Sequence, residues 1–295
     1  MSKLVSDQAD GLRRLMAPTL QRIVAVVGML PAMGATTAAM NLAEALARQG
    51  KDVLLIDEHG QTPDSPCSVW SIDPSGNWDD VLARRLTLQR ACGVAKCGVK
   101  VLLAPPSRPS SIDGKADLRS KCQESVILID AALGSSGELS LLAQQADDCV
   151  LVLRTQPSSI TAAYSGIKQL HHAHALKQFR LLINGVVGAE AARKVMANLA
   201  NTCSRYLSVS VQSAGWVRSD PHHMAGAQRL NKTVLEAYPA SAASVDFRRI
   251  ASEVEQWPWC PSEKRPPVRV LAGEDADRAR PAVARKAART AQAAV

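Results

Sequence analysis

The chain alternates short apolar runs with longer segments of helical pattern, and this order constrains the fold more than any other feature. The runs contain mostly Val, Ile, Leu and Ala without alternating polar residues, which is typical of strands buried on both faces of a parallel sheet. Helical patterns between them predict a doubly wound α/β fold, in which ligands bind at the carboxyl ends of the strands. The predicted strands are residues 23–27, 53–56, 101–104, 126–129, 150–153, 181–183 and 215–217, and the predicted helices are residues 36–49, 138–145, 159–174 and 190–204.

The chain divides into three parts. Residues 1–21 contain a short helical pattern, residues 22–258 form the α/β domain, and residues 259–295 form a tail rich in Ala, Pro and Arg. We expect the tail to be disordered, because it has few residues that can build a core. From Arg278 onward it holds five bases and no acids, which suits an anionic membrane surface or an acidic partner, although a solvated tail is the favoured interpretation.

Other features indicate a cytoplasmic protein without a metal centre of its own. Residues 1–20 do not resemble a signal peptide, and no apolar run approaches the ~18 residues that span a bilayer. The seven cysteines form no CxxC pair, so we expect reduced thiols. His171, His172 and His174 are close in sequence but lack an acidic or thiol neighbour, so no metal site is expected there.

The first strand leads into a loop with the outline of a phosphate-binding loop. Such a loop needs glycines that let backbone N–H groups face the phosphates, a lysine that meets their charge, and a Ser or Thr that binds Mg²⁺. Gly34 and Thr36 have the right spacing, but Ala35 occupies the lysine position and Met29 that of the first glycine. Pro31 also removes one N–H donor. The loop therefore has the spacing of a phosphate site without its charge.

Two further strands end on a carboxylate. Asp57 closes VLLID and Asp130 closes VILID. Strand-end aspartates often cap the following turn or helix. Two of them beside one strand–loop–helix unit are also placed where Mg²⁺ ligands would be needed, and the sequence alone leaves both interpretations open.

The order of these segments resembles the ParA/MinD family of deviant P-loop ATPases, whose loop reads KGGxGKT. The segment NLAEAL is similar to the family's NLAxAL helix, and aligning on it places Leu30 at the signature lysine. Pro31 and Ala32 then stand at the two glycines, while residues 34–36 match the final GKT. The segment LLIDEH resembles the LLDAD switch, with His59 in place of the second aspartate. The segment LLIN places Asn184 at the adenine-contacting asparagine.

Three segments resemble a narrower group, the FlhG (FleN) family of MinD-like regulators of flagellar number and placement. DQADGLRRLM near the N-terminus is similar to the family's DQAxxLR activator helix, which ParA and MinD proteins lack. TQPSSITAAYSGIKQL resembles its PEP-TSITDAYALIK segment, and GWVRSDPHHMAGAQRLNKTVLEAYPAS resembles its region ending in E-hydrophobic-YP. The resemblance spans residues 6–257.

The resemblance implies a protein that binds ATP and Mg²⁺, forms a homodimer and associates with the inner membrane or the cell pole. It also implies an N-terminal helix that stimulates FlhF, an SRP-type GTPase, and contacts with flagellar C-ring proteins or a flagellar transcription regulator. By residue match, the FlhF-facing positions are Asp7, Gln8, Leu12 and Arg13, the magnesium ligands are Thr36, Asp57 and Asp130, and the other nucleotide-binding residues are Gly34, Thr37, Asn184 and Arg218.

The departures from the family pattern affect the catalytic positions, so no catalytic residue is assigned. Leu30 and Ala35 replace lysines that meet phosphate, and a charge-assisted contact of this kind contributes about 1.5–3 kcal/mol. Losing both weakens ATP binding by about 10³-fold or more. His59 replaces the aspartate that orients the attacking water. We therefore expect a pseudo-ATPase with weak ATP and Mg²⁺ binding, in which Arg22 or Arg218 substitutes for a lysine.

Two other functions remain open. The first is an active MinD-like ATPase that cycles between cytosol and membrane. The second is a ParA-like DNA-associated partition protein, suggested by the net charge of +8, although the bases are spread out or in the tail and nucleic-acid binding is not expected. The apolar stripe of Phe247, Ile250, Val254 and Trp257 is expected to pack in the core rather than on a membrane, since two glutamates beside it repel anionic lipid.

Overall fold

The computed structural model describes residues 21–60, 62–105 and 117–258. The FlhF-facing positions Asp7, Gln8, Leu12 and Arg13 and the basic tail lie outside the described residues, so their predicted roles stay predictions.

The strands of the described residues form one sheet. They are β1 Arg22–Gly28, β2 Val53–Asp57, β3 Gly93–Val94, β4 Lys100–Leu103, β5 Val126–Ala131, β6 Asp148–Leu153, β7 Gln178–Val186 and β8 Ser210–Arg218. Their order across the sheet is β3-β4-β2-β5-β1-β6-β7-β8. All pairings are parallel except that of β3 with β4. This confirms the predicted α/β fold with a mostly parallel sheet.

Helices cover both faces of the sheet. They are α1 Ala35–Arg48, α2 Pro66–Trp70, α3 Trp78–Leu82, α4 Leu88–Ala91, α5 Leu118–Lys121, α6 Pro157–His174, α7 Ala189–Leu207, α8 Pro221–Arg229, α9 Val234–Ala237 and α10 Ala242–Val254. One core contains side chains of α1, α2, α8, α9 and α10, and the other contains side chains of α3 to α7.

The central strand β1 shows why its sequence lacks alternation. Ile23, Ala25 and Val27 belong to one core, whereas Val24 and Val26 belong to the other. All five are at most 1% exposed. Because both faces of β1 are covered, a polar side chain on either face would be removed from water, and apolar residues therefore occupy both faces.

The strand predictions are confirmed and one helix prediction is wrong. Every predicted strand is present, and the short edge strand β3 was not predicted. Residues 138–145 do not form an α-helix: Leu139 pairs with Leu133 in an isolated bridge, and only a 3₁₀ turn at Ala143–Gln145 follows. The Ser140 hydroxyl accepts the Ala143 N–H (3.0 Å), so a capped short turn replaces the longer helix.

Helix α10 is the last described helix, and its apolar stripe lies in the core as expected. Phe247, Ile250 and Val254 are at most 1% exposed, and Trp257 just beyond the helix is 6% exposed. None of the helices in the described part of the chain is both long and apolar enough to span a bilayer.

A buried charged cluster joins the end of α10 to the sheet. The Arg22 and Arg180 guanidinium groups lie 5.7 and 4.4 Å from the centre of the Trp257 ring. The Asp148 carboxylate accepts hydrogen bonds from Arg22 Nε (2.9 Å) and Arg180 Nε (2.6 Å). Arg22 also donates to the carbonyls of Val254 and Trp257.

The predicted role of Arg22 as a substitute for a loop lysine is therefore wrong. Arg22 stands at the amino end of β1, opposite the end from which the loop leaves, and its guanidinium is fully engaged in the Trp257 cluster. Its side chain is 3% exposed.

We predict that Asp148→Ala lowers the free energy of unfolding by about 3–5 kcal/mol, because it leaves two buried guanidinium groups without their carboxylate. Urea unfolding followed by circular dichroism measures the change. Glu255→Ala is the control, since it removes an ion pair whose carboxylate is 48% exposed and changes stability by less than ~1 kcal/mol. Equal effects of the two substitutions would contradict a structural role for the cluster.

Candidate nucleotide site

The loop between β1 and α1 has the backbone of a phosphate-binding loop at two positions. Gly34 precedes the helix in the left-handed conformation (φ 86°). Ala32 is also left-handed (φ 61°), at a position where the ParA/MinD resemblance implies a glycine. The turn therefore requires the left-handed conformation at Ala32. Because alanine has a Cβ, this conformation costs about 1–2 kcal/mol there.

Two neighbouring side chains, Ser159 and Asn184, and one glycine, Gly166, hold the loop in place. Met29 packs against α6 at Gly166, where a Cβ would come within 1.6 Å of the Met29 sulfur. The Ser159 hydroxyl lies 3.2 Å from the Met33 sulfur. Asn184 Nδ2 donates to the Met33 carbonyl (3.0 Å) and would collide with a Cβ on Gly34. Met29, at the position where the first glycine is expected, thus fills the space between the loop and α6.

Asn184 lies at the carboxyl end of β7, directly beside the loop. The sequence predicts a base contact for this side chain, and in the structure its amide donates to the loop backbone. Thr37 lies in the first turn of α1, where its carbonyl accepts a hydrogen bond from Asn41 (2.8 Å). Both residues are close to the loop, and their nucleotide contacts stay predictions.

Asp57 and Asp130 face the loop from two adjacent strands. They are partners in the β2–β5 register, and both are fully buried. Asp57 Oδ1 accepts the His59 N–H (2.9 Å), which is the turn-capping contact that sequence analysis left open. Asp57 Oδ2 and both oxygens of Asp130 have no hydrogen-bond partner among the described residues.

Burial raises the pKa of both carboxyl groups. The pKa of Asp57 rises above its ordinary value because of burial, against the lowering effect of the His59 N–H and charge. Burial raises the pKa of Asp130 to about 6, with His59 and the Thr36 hydroxyl opposing the rise. His59 Nε2 lies 3.7 Å from Asp130 Oδ1, where the ring forms an ion pair with this carboxylate only when it is protonated.

The orphaned carboxylate oxygens fit Mg²⁺. This ion prefers oxygen ligands and usually keeps several waters while binding one or two carboxylates and substrate phosphates. Asp57, Asp130 and the Thr36 hydroxyl supply that ligand set at the loop. The described residues contain no group of three or more His, Cys, Asp or Glu side chains arranged to hold a metal by themselves.

The histidine-rich segment of α6 has a structural role. His171 Nδ1 lies 2.8 Å from the Leu176 carbonyl, and His174 Nε2 accepts the Leu139 N–H (2.9 Å). These contacts tie the end of α6 to neighbouring loops, which is why no metal is needed to explain them.

Glu58 is a site residue that sequence analysis missed. It is 1% exposed, and its carboxylate accepts the Ala132 N–H (3.0 Å) and the Ser140 hydroxyl proton. Burial raises the pKa of Glu58 to about 7, and the charges of Asp130 and Asp57 add to the rise. The signal for it was its place directly after Asp57 in VLLIDE, at the edge where the neighbouring strands also end on carboxylates.

The loop itself carries no positive side chain. Leu30, at the signature-lysine position, is 38% exposed, and Ala35 packs partly against the core. Arg218 lies at the carboxyl end of β8, but its Nε and Nη2 donate to Asp246 at 2.9 and 3.2 Å. Its guanidinium therefore already has a carboxylate partner.

Comparison with known proteins shows similarity to a protein of named role. The chain is 28% identical over 248 residues to the antiactivator FleN of Pseudomonas aeruginosa, covering 80% of this chain and 87% of that protein. No protein-family model matches the chain. The chain is thus similar to FleN over most of the length of both proteins.

Solved structures similar to this chain include MinD and ParA proteins. MinD from the Aquifex aeolicus MinC:MinD complex superposes with a TM-score of 0.63 at 18% identity, covering 83% of this chain and all of that one. MinD with Mg-ADP from Pyrococcus horikoshii gives 0.58 at 23% identity, covering 80% and 96%. A ParA family ATPase from Chlorobium tepidum gives 0.59 at 15% identity, covering 80% and 99%. At these identities the likeness shows a shared fold.

The buried Glu58 predicts a pH-dependent stability. Its folded-state pKa of about 7 lies above the ordinary 4.5, so its contribution to stability is present in full below pH ~4.5 and is lost as the pH rises through about 7. Without nucleotide and Mg²⁺, Glu58→Gln should be more stable than the natural chain by up to about 3 kcal/mol near pH 8, and close to it near pH 4.5.

Urea unfolding of both proteins near pH 4.5, 6 and 8 checks this. Glutamine is a matched replacement because it can accept the Ala132 N–H and donate to Ser140, as a protonated glutamic acid does. The pKa values of Asp57 and Asp130 are also raised, so these residues make both proteins less stable as the pH rises. A stability difference that does not change with pH would contradict the assignment.

Proposed function

We propose that this FleN homologue regulates the number or placement of flagella as a pseudo-ATPase that binds Mg-ATP weakly and turns it over slowly or not at all. The observation that carries the regulatory role is the similarity to FleN, which spans 80% of this chain and most of its relative. In the described residues, one buried sheet lies between two helical layers.

Weak nucleotide binding is supported by what the loop keeps and what it lacks. The left-handed turn at Gly34, the amino end of α1 and the magnesium-ligand set favour an anion with a metal ion. Leu30 and Ala35 supply no charge where the ParA/MinD resemblance implies two lysines. A site with shape and metal ligands but little positive charge binds phosphate with reduced affinity.

Slow turnover is supported by the segment LLIDEH, which resembles the switch of the ParA/MinD family. His59 stands where the ParA/MinD resemblance implies an aspartate that orients the attacking water, and its Nε2 lies 3.7 Å from Asp130 Oδ1. The Mg²⁺ that Thr36, Asp57 and Asp130 would hold supplies charge neutralisation at the phosphates. The chain's own residues then bind and orient a nucleotide without a group that positions the nucleophile.

The regulatory partners follow from the sequence resemblance. We propose that Asp7, Gln8, Leu12 and Arg13 contact an FlhF-type GTPase and stimulate it. Homodimerisation, contact with C-ring proteins or a flagellar transcription regulator, and a peripheral position at the inner membrane or cell pole belong to the same proposal. None of them depends on hydrolysis by this chain.

The state of the nucleotide site is measured by titration calorimetry with Mg-ATP and Mg-ADP. We predict dissociation constants near or above the millimolar range for the natural chain, and binding at least about tenfold tighter for Ala35→Lys, because the lysine restores one charge-assisted phosphate contact. Ala47→Lys, at the other end of α1, is the matched control and should leave affinity unchanged. Equal effects of the two lysines would contradict the assignment of the loop.

The regulatory role is tested in the source bacterium. Deleting the gene should change the number or position of flagella seen by electron microscopy, and the natural chain should restore them. We predict that a variant with Asp7, Gln8, Leu12 and Arg13 replaced by alanine fails to restore them and fails to stimulate FlhF GTPase in vitro, while Ala35→Lys restores both. Normal flagella in the deletion strain would overturn the proposed function.

A further inference from the structure

We propose that Arg154, on the strand next to the loop, supplies the phosphate-binding cation that the loop lacks. The inference rests on the proposed nucleotide site and assigns it a ligand residue that neither the loop pattern nor the comparisons indicate. The ligand class is a nucleoside di- or triphosphate with its divalent cation.

The sheet register places Arg154 beside the loop. Strands β1 and β6 are parallel neighbours, and Gly28 of β1 is the partner of Val152 of β6. Arg154 directly follows the end of β6, two residues beyond Val152, and Leu30 in the loop lies two residues beyond Gly28. Arg154, in the adjacent chain segment, can thus provide the positive charge that Leu30 lacks.

Two contacts fix this segment relative to the loop. The Arg154 N–H donates to Ser159 Oγ (2.8 Å), and the same hydroxyl lies 3.2 Å from the Met33 sulfur. Ser159 is 3% exposed, so this connection is part of the packed structure. Farther along α6, Gly166 receives the side chain of Met29 from the loop. The backbone of Arg154 is therefore held at one position beside the phosphate loop.

The Arg154 guanidinium is available for a ligand. The residue is exposed, and its side chain forms no ion pair or hydrogen bond with the described residues. By contrast, Arg22 and Arg180 bind Asp148, and Arg218 binds Asp246. Arginine suits this task because its planar fork makes two parallel hydrogen bonds to a phosphate.

The carboxylates at the ends of β2 and β5 also favour a nucleotide bound with a metal ion. Both oxygens of the fully buried Asp130 lack a partner among the described residues, as does one oxygen of Asp57. These oxygens call for a metal cation, and a metal bound there brings its phosphates to the loop. Arg154 would bind the phosphates from the β6 side of the loop, and a metal held by Asp57 and Asp130 would neutralise them from the β2 and β5 side.

The test compares Mg-ATP and Mg-ADP affinities of the natural chain, Arg154→Ala, Arg154→Lys and Arg193→Ala by titration calorimetry. We expect Arg154→Ala to weaken binding about tenfold or more, and Arg154→Lys to weaken it less, because lysine keeps the charge without the fork. Arg193 is another exposed arginine, on α7, and its replacement should change affinity less than about twofold. Urea unfolding of each variant verifies that the fold is intact.

A double variant separates this inference from the proposed function. Ala35→Lys added to Arg154→Ala should recover the lost affinity, since both side chains address the same phosphates. Binding by the natural chain that Arg154→Ala leaves unchanged would overturn the role of Arg154 while the nucleotide site stands. No binding by the natural chain even at nucleotide concentrations well above the millimolar range would overturn both, whereas the flagellar phenotype of the deletion strain would still test the regulatory role independently.

Discussion

Parallel pairing of β1 with β5 and β6 is the constraint on which the candidate site depends. In a parallel sheet the strands end at one edge, so whatever follows β1 lies between whatever follows its two neighbours. Here β1 delivers the loop, β5 delivers Asp130 and β6 delivers Arg154. The remaining ligand candidate, Asp57, is brought to the same edge by the pairing of β2 with β5. The site is thus assembled by strand register, and the loop alone does not define it.

Charge balance at this edge decides what the site can bind. Three acids, Asp57, Glu58 and Asp130, are buried close together: the charges of Asp130 and Asp57 add to the rise in the pKa of Glu58, and the charge of Asp57 adds to the rise in the pKa of Asp130. Among the described residues, His59 lies 3.7 Å from Asp130, is 40% exposed and forms an ion pair there only when protonated. Burying a carboxylate without a partner is unfavourable, so burial favours the protonated acids, whereas a bound cation would favour the ionised ones. Cation binding and the protonation of these acids are therefore linked at one place.

Sequence analysis predicted the fold well because strand burial on two faces leaves a direct trace in the apolar runs, as β1 shows. It also located Asp57, Asp130 and Gly34, whose positions at strand ends and at the helix start are readable from spacing.

Sequence analysis failed where tertiary contacts decide the outcome. Residues 138–145 have a helical pattern, yet Ser140 is engaged by Glu58 and Ala143. Arg22 was assigned to the wrong end of its strand, because a charge pattern does not reveal a partner 126 residues away such as Asp148. Arg154 escaped notice because only the β1–β6 register places it beside the loop.

The arrangement separates binding from turnover. A chain that never met a cation at this edge would be more stable with apolar residues in place of the buried aspartates, since unpaired buried carboxylates are costly. Their presence with orphaned oxygens is best explained by a metal–phosphate ligand, and the free guanidinium of Arg154 fits the same explanation. By contrast, the described switch offers His59, 3.7 Å from Asp130, where the ParA/MinD resemblance implies an aspartate that orients water. Under the proposed function, nucleotide binding would add a metal ion and charge balance at the ends of β2 and β5, and a regulator needs only such a difference between two states to change how it contacts a partner.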